Sequence, residues 1–556
     1  MPPLQQQIHN VRMAMMQKLP MEETAANEPG EQIIYSPEKL EAFCKANGGP
    51  TVFSSLHDMM APLKQQRQTN RRDISSRKYT VIILYLMMYG QSQMSNWLQR
   101  DVSKFLHYHG LSDTGMRAMH EMGLALGTTT FYRTMQQDSS PHLAKIDKII
   151  RQAMRDKKLI VVIIDDYSNI HTRRRPQDNP ANISHMATVI LRVFDLPAIA
   201  VQQPPANFPG AINIHLLLNN FLHNMPLFFR TFIAGGPQQL NQYFFNPHNE
   251  RLRLTTHMYG ESNNVRQVRA VANAHLIDCT QQTLKSLTDY RNAANVYLHT
   301  ALQEYLQQYQ LLIPGDWPSQ FHQRQLYNNE PQDSLLRNTT AMMGPLHVSL
   351  NAQENVVLKF INFFSAIYRH LFNRQLAKKP KPWRITLLLE LLFGGWTLIR
   401  EPVLQRLQRF KDVQFLTLIN LVDNYVPLAL CIYSVIFKAN AFHLYSLAMQ
   451  QVWIMYYTFN RRHYDKAPLV WLANTSYWQH TQHPIFTLLQ NSLYTTDESP
   501  VENFHSLLRA RTNEWDTAAT IQTKARWIDE NRHALLKFSS WFGPPRHETL
   551  SVKQLR

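Results

Sequence analysis

Three acidic side chains, Asp165, Asp316 and Glu502, sit in local sequences that suit them to grip divalent cations. Asp165 follows the unbroken apolar run LIVVII at residues 159–164, which reads as a strand ending at its carboxylate. Asp316 follows a second apolar stretch through Pro314-Gly315, where glycine permits a tight turn. Glu502 falls in the first turn of a helix expected to open with Ser499 as N-cap and Pro500 as its first residue. It shares that helix face with His505, Ser506 and Arg509. Cleaving or joining a phosphodiester in line requires stabilising both the attacking and the leaving oxygen. Two Mg²⁺ or Mn²⁺ ions ~4 Å apart do this, and hard cations take oxygen ligands. Two strand-borne aspartates and one helix-borne glutamate are ligands of that kind on rigid supports.

Taken singly, each acid has an ordinary explanation. A strand-end Asp is most often a turn former, and a first-turn Glu is a favourable partner of the helix dipole. Asp166 competes with Asp165, because adjacent strand residues face opposite sides of a sheet. His347 and His505 are candidates to line the same pocket, although each is more often a structural hydrogen-bonder. His171 and His185 lie near the first acid without HxxxH or HExxH spacing, and Cys44, Cys279 and Cys431 form no CxxC pair, so no zinc is expected.

The elements that must position these acids follow from the hydrophobic pattern. Strands are expected at residues 159–166, 183–194, 226–234 and 341–350, with a strand–turn–helix at 309–327 and a long helical stretch at 262–308. Residues 352–491 read as helix almost throughout, in a chain of 556 residues with only 17 glycines. The fold class expected is mixed α/β with large all-α parts. Its domains would be a polar, partly disordered arm (1–60), a helical region (61–155), a sheet-bearing core (156–351), an all-helical insertion (352–495) and the core's last helix with the tail (496–556). Within the helical region, GLALGTTTFYRTM (residues 123–135) reads as the second half of a helix-turn-helix. A short helix would reach Gly127, and a threonine-capped helix carrying Arg133 would follow.

Lys and Arg total 57 against 40 Asp and Glu, a formal charge of +17 that favours anionic partners, nucleic acid first. The candidates for backbone contact are Arg133, Arg173, Arg174 and Arg175, and the acid-free group Lys378, Lys379, Lys381 and Arg384 beside Trp383. A further dense basic run occupies residues 64–78. Residues 439–460 carry no formal charge, yet their large apolar residues recur at 3–4 spacing, so a core helix is expected and no membrane span. The opening segment MPPLQQQIHNVRMAMMQKLPMEE lacks the apolar run of a secretory signal, and scattered cysteines suit a reducing compartment. The KKPK run is compatible with nuclear import.

Five segments, IIDDYSNIHTRRRP, PGDWPSQFHQRQ, GPLHVSLN, KKPKPWRITLLLE and SPVENFHSLLRA, together resemble transposon-derived proteins of invertebrates and fungi within the RNase H-like, retroviral-integrase-like DDE transposase superfamily. The resemblance covers roughly residues 155 to 550. It implies an RNase H-like core interrupted by a helical insertion and metal-dependent cleavage and transfer of DNA strands. Asp165 would be the first acid, Asp316 the second and Glu502 the third, with Mg²⁺ or Mn²⁺ as cofactor. Work in the nucleus as a dimer or larger assembly is also implied. One departure is the absence of an N-terminal zinc finger, which many such enzymes use to find their transposon ends. A domesticated relative that only binds nucleic acid is the alternative.

Overall fold

Ile8, Val11 and Met15 recur at helical spacing, and the residues around them form a helix rather than part of an irregular arm. The computed structural model describes residues 2–18, 35–60, 70–170, 183–201, 205–207, 215, 218–219, 273–407, 411–513 and 516–541. The chain separates into two compact units, residues 1–142 with 526–556, and residues 143–525. In the first lie α1 (Leu4–Lys18), α2 (Pro37–Ala46), α3 (Val52–Met60), α4 (Asn70–Gln91), α5 (Trp97–Tyr108), α6 (Asp113–Glu121) and α7 (Thr128–Ser139). Ile8, Val11 and Met15 are buried with Leu40, Phe53, Leu84, Tyr85 and Trp97 in one core. That burial is why the polar-looking N-terminal stretch folds: a few apolar residues on one face suffice when neighbouring helices cover them.

The helix-turn-helix expectation needs correction in its details. The stretch before Gly127 is a turn, not a helix: α6 stops at Glu121 and Gly123 takes φ +73°. Gly127 itself is the N-cap of α7, and no side chain caps that helix.

The second unit is built on a five-stranded mixed sheet in the order β3-β2-β1-β4-β5. The strands are β1 (Lys158–Ile170), β2 (Ile183–Pro197), β3 (Ala274–Gln281), β4 (Leu311–Gly315) and β5 (Thr339–Met343). β2 pairs antiparallel with β1 and with β3, whereas β4 runs parallel to β1 and β5 parallel to β4. Side chains of β1 alternate between two cores. Ile160, Val162 and Ile164 pack with α8 (His142–Arg155), α9 (Leu287–Leu298) and α10 (Leu302–Leu306). Leu159 and Val161 face the opposite core with Leu312 and Met342. A strand buried on both faces has no polar alternation, which is why the LIVVII run is continuous.

Three expectations shift. Residues 274–281 form a strand, not part of a long helix, because the apolar alternation of AHLIDCTQ is completed by pairing with β2. The strand expected at 226–234 lies outside the described residues. The strand expected at 341–350 ends at Met343. Gly344 caps and Pro345 opens α12 (Pro345–Lys359), since proline's fixed φ and missing N–H suit a first helical turn.

Between β4 and β5 lies α11 (Trp317–Asn329). After α12 come α13 (Ile361–Phe372), α14 (Pro382–Leu407), the helical run α15 (Val413–Phe437), α16 (Phe442–Thr458), α17 (Ala467–His480) and α18 (Pro484–Ser492). Together they enclose the larger core, in which Val426, Ile432, Tyr445, Met449, Val452 and Tyr456 are buried. The uncharged 439–460 stretch is therefore mainly α16, with its apolar face inside the protein. Among the described residues, α15 is the one helix long and apolar enough to cross a membrane, and 56% of its most apolar window is buried. α19 (Ser499–Arg509) and α20 (Ala518–Trp541) follow.

Candidate active site

Register brings the first two acids level. Val161 of β1 pairs with Leu312 of β4 in a parallel ladder, and four residues further along each strand stand Asp165 and Asp316. The period-2 alternation puts Asp165 on the Val161 face and Asp316 on the Leu312 face, which are the same face of the sheet. Asp166 points the other way, exposed, toward the charges of His185 and Lys285. Of the two adjacent acids, Asp165 is the one on the Val161 face. The expected strand end does not hold, since β1 continues to Ile170. What ends at this level is its parallel neighbour: β4 stops at Gly315, at the point where the chain's strand order reverses.

Asp316 is the N-cap of α11, and its Oδ1 accepts the Ser319 N–H at 2.9 Å. Asp165 Oδ1 accepts the Asp166 N–H at 2.9 Å. Each carboxylate is thereby oriented by the backbone. Glu502, in the first turn of α19, comes to the same place: burial, followed by the charges of Asp316 and Glu502, pushes the Asp165 carboxyl well above its ordinary range, with His347 opposing. Asp316 is likewise raised, by burial first and by Asp166 and Glu502, against His347 and its Ser319 hydrogen bond. α19 begins one residue earlier than expected, with Glu498 in the cap position. Ser499 spends its N–H and hydroxyl on Asp497, at 3.1 and 2.9 Å.

His347, a candidate to line the pocket, lies between two glutamates. From the first turn of α12 its Nε2 lies 3.5 Å from Glu502 Oε1, and its Nδ1 lies 3.3 Å from Glu498 Oε1. Glu498 Oε1 also accepts the His347 backbone N–H at 3.0 Å. Burial works against the imidazolium, but the hydrogen bonds to Glu498 and Glu502 overcome it and raise its pKa well above the usual value. The same bond, outweighing burial, holds Glu502 below its ordinary value. Exposure separates the roles of the two glutamates. Glu498 is 1% exposed and beyond reach of any substrate, whereas the Glu502 side chain is 42% exposed and open to one. Glu498 was not anticipated. Its signal in the sequence was an acidic pair, Asp497-Glu498, placed directly before a Ser-Pro helix start.

His505 also enters the site. Its Nδ1 lies 3.8 Å from Asp165 Oδ2, and its Nε2 is 3.0 Å from Thr188 Oγ1. Full burial drives His505 down to about 4, so the contact with Asp165 is that of a neutral ring and not an ion pair.

All three predicted acids are hard oxygen donors, the ionisation of Asp165 and Asp316 is disfavoured by burial and by neighbouring acids, and Asp316 Oδ2 has no hydrogen-bond partner among the described residues. That chemistry fits a divalent cation. Among the described residues, however, no group of three or more His, Cys, Asp or Glu side chains is placed so that it could hold a metal ion. Of the basic candidates, Lys378, Lys379 and Lys381 are exposed on the loop between α13 and α14, and Arg384 is exposed in the first turn of α14. Arg133 is exposed on α7 of the other unit. Arg173, Arg174, Arg175 and His171 lie outside the described residues, as does part of the 64–78 run. Compared with known proteins, the chain matches no family model, no curated protein and no solved structure.

Proposed function

We propose that this chain is a metal-dependent enzyme of DNA strand cleavage and transfer, of the DDE transposase type, with an RNase H-like core interrupted by the helical insertion. The observation that carries this reading is that Asp165 and Asp316 stand level along the parallel β1–β4 ladder, with the charge of Glu502 from α19 bearing on both. The antiparallel β1–β2–β3 meander followed by parallel β4 and β5 is the strand layout such a core requires, and it supports the assignment.

A pair of Mg²⁺ or Mn²⁺ ions, when bound, would supply an activated water and stabilise the charge on the attacking and leaving oxygens. Asp165 would hold them from within β1, Asp316 from the N-cap of α11 just past β4, and Glu502 from the first turn of α19. His347 keeps Glu502 turned toward the two aspartates by tethering it to the buried Glu498. His505, neutral and bonded to Thr188, fills the back wall beside Asp165 without bringing a second positive charge.

The test is a nicking and joining assay on the full chain with duplex DNA and Mg²⁺ or Mn²⁺. Wild type is expected to cut, and Asp316→Asn is expected to lose at least ~10³-fold in rate, because a ligand of the charge-stabilising centre is gone. Equal behaviour of the two proteins would overturn the reading and leave a basic nucleic-acid binder.

A further inference from the structure

The carboxylate cluster has an electrostatic problem of its own. Asp165, Asp316, Glu498 and Glu502 concentrate negative charge around one imidazole, and a phosphodiester approaching them is repelled. Fixed positive charge beside the site, within a Debye length of ~8 Å, is what would offset that repulsion. One segment of the helical insertion brings exposed cations to the surface next to α11, the helix that Asp316 caps. Residues 460–466, NRRHYDK, join α16 to α17 and are tied down at two points. Arg461 donates to Asn351 Oδ1 at 2.6 Å and pairs with Glu354, both on α12. Tyr464 turns inward, its ring 6.1 Å from that of Tyr456. Its phenol lies within reach of the Trp317 backbone N–H and in the field of Asp316 and His347, so the loop ends against the first turn of α11, where Asp316 sits.

Between and beyond these anchors, Arg462, His463 and Lys466 are exposed, and among the described residues none of their side chains makes a hydrogen bond or ion pair. The loop's single acid, Asp465, makes no ion pair with any of them among the described residues, and its Oδ1 is buried. Asn460 and His463 adopt φ of +53° and +73°, the left-handed region that is uncommon outside glycine and in which asparagine and histidine are among the residues more often found. The two anchors hold that conformation and keep the cations facing outward.

We propose that this loop is a DNA-backbone clamp, in which Arg462, His463 and Lys466 contact phosphates of the strand whose scissile bond lies at Asp165, Asp316 and Glu502. The inference rests on the functional reading above and adds to it: the helical insertion supplies part of the substrate-binding surface.

Binding of a fluorescein-labelled duplex to the full chain, followed by anisotropy in EDTA across 50–300 mM NaCl at pH 7.5, tests the clamp. The triple variant Arg462→Ala/His463→Ala/Lys466→Ala should bind about tenfold more weakly. Its log K against log [salt] slope should be shallower by about two, one unit for each permanent cation removed. The charge reversal Arg462→Glu/Lys466→Glu should weaken binding further. Thermal melts accompany both, and if the triple variant does not fold, Arg462→Gln alone should still lower the slope by about one. Unchanged affinity and slope in folded variants would overturn the clamp. Cleavage by wild type and Asp316→Asn, run in parallel with Mn²⁺, separates the two claims. A clamp result without cleavage sinks the catalytic reading, and cleavage with unaltered binding in the triple variant sinks the clamp.

Discussion

At the scale of single residues, the site depends on a charge arrangement that a lone sequence motif would not disclose. His347 touches two glutamates of different kinds, one buried and one open, and so acts as a strut between them. Removing it should free the Glu502 carboxylate. His347→Ala and Glu498→Ala are each expected to lower metal-dependent cleavage by roughly 10–100-fold, as loss of a group that orients a ligand does. The double variant should lose little more than either single one, because both changes cut the same strut. Mn²⁺ titrations of the four proteins, with half-saturation as well as rate recorded, distinguish this from a general loss of folding. Gly344 belongs to the same assembly. A Cβ there would stand 2.2 Å from Glu498 Cδ, so Gly344→Ala should destabilise the protein by about 1–3 kcal/mol in urea unfolding, the cost of overpacking.

The raised carboxyls also set a pH dependence. Asp165 and Asp316 ionise less readily in the folded chain than in the unfolded one, so their contribution to stability is present at low pH and is lost as pH rises through the folded values. Divalent cations bind only the ionised form and reverse that loss. The increase in melting temperature produced by 10 mM-range Mg²⁺ (roughly that concentration suffices for weak carboxylate sites) should therefore be larger at pH 8 than at pH 5. Asp165→Asn should raise the metal-free melting temperature at pH 8 while removing most of the cation effect.

At the scale of elements, the parallel β1–β4 ladder does most of the positioning. A shift of one residue would carry Asp316 to the opposite face, away from Asp165. The third acid depends on how α19 enters. Asp497 receives the Ser499 N–H and hydroxyl and the Tyr433 hydroxyl, the last at 3.2 Å, while Arg192 of β2 donates to its backbone carbonyl at 3.2 Å. Full burial and the neighbouring Glu498 push the Asp497 carboxyl up to about 7, against the opposing charge of Arg192. Tyr433 belongs to α15, so the insertion and the sheet both hold the start of α19. Tyr433→Phe should cost about 1 kcal/mol of stability, the worth of one buried hydrogen bond, measured by chemical denaturation. It should also slow cleavage without changing DNA affinity if α19 is loosened at its first turn.

At the scale of the molecule, the +17 charge predicts DNA binding that weakens steeply with salt, by about 10³-fold or more between 50 and 200 mM if six or more phosphates are contacted. The apolar helix α15 predicts a different experiment. More than half of its most apolar window faces protein, which suits a core helix. The expressed chain should be recovered in the aqueous phase at high salt without detergent, and a requirement for detergent would reassign α15 to a bilayer.

Much of the positioning was legible from local chemistry alone. The LIVVII run demanded a strand buried on both sides, Pro-Gly-Asp demanded a strand followed by a capped helix, and Ser-Pro-Val-Glu demanded a helix with its acid in the first turn. Residues 274–281 were read as helix because a short apolar segment acquires its strand identity only from a partner, here β2. The N-terminal helices were missed because their stability comes from tertiary cover, not from local propensity. The sequence by itself determined which residues are acids on rigid supports and how strongly basic the chain is. Only the tertiary structure decided that Asp165 takes the Val161 face of the sheet and Asp166 the other, and that a histidine between two glutamates holds Glu502. Those outcomes depend on register and on contacts across 151 residues, between His347 and Glu498, and local periodicity carries no information about either.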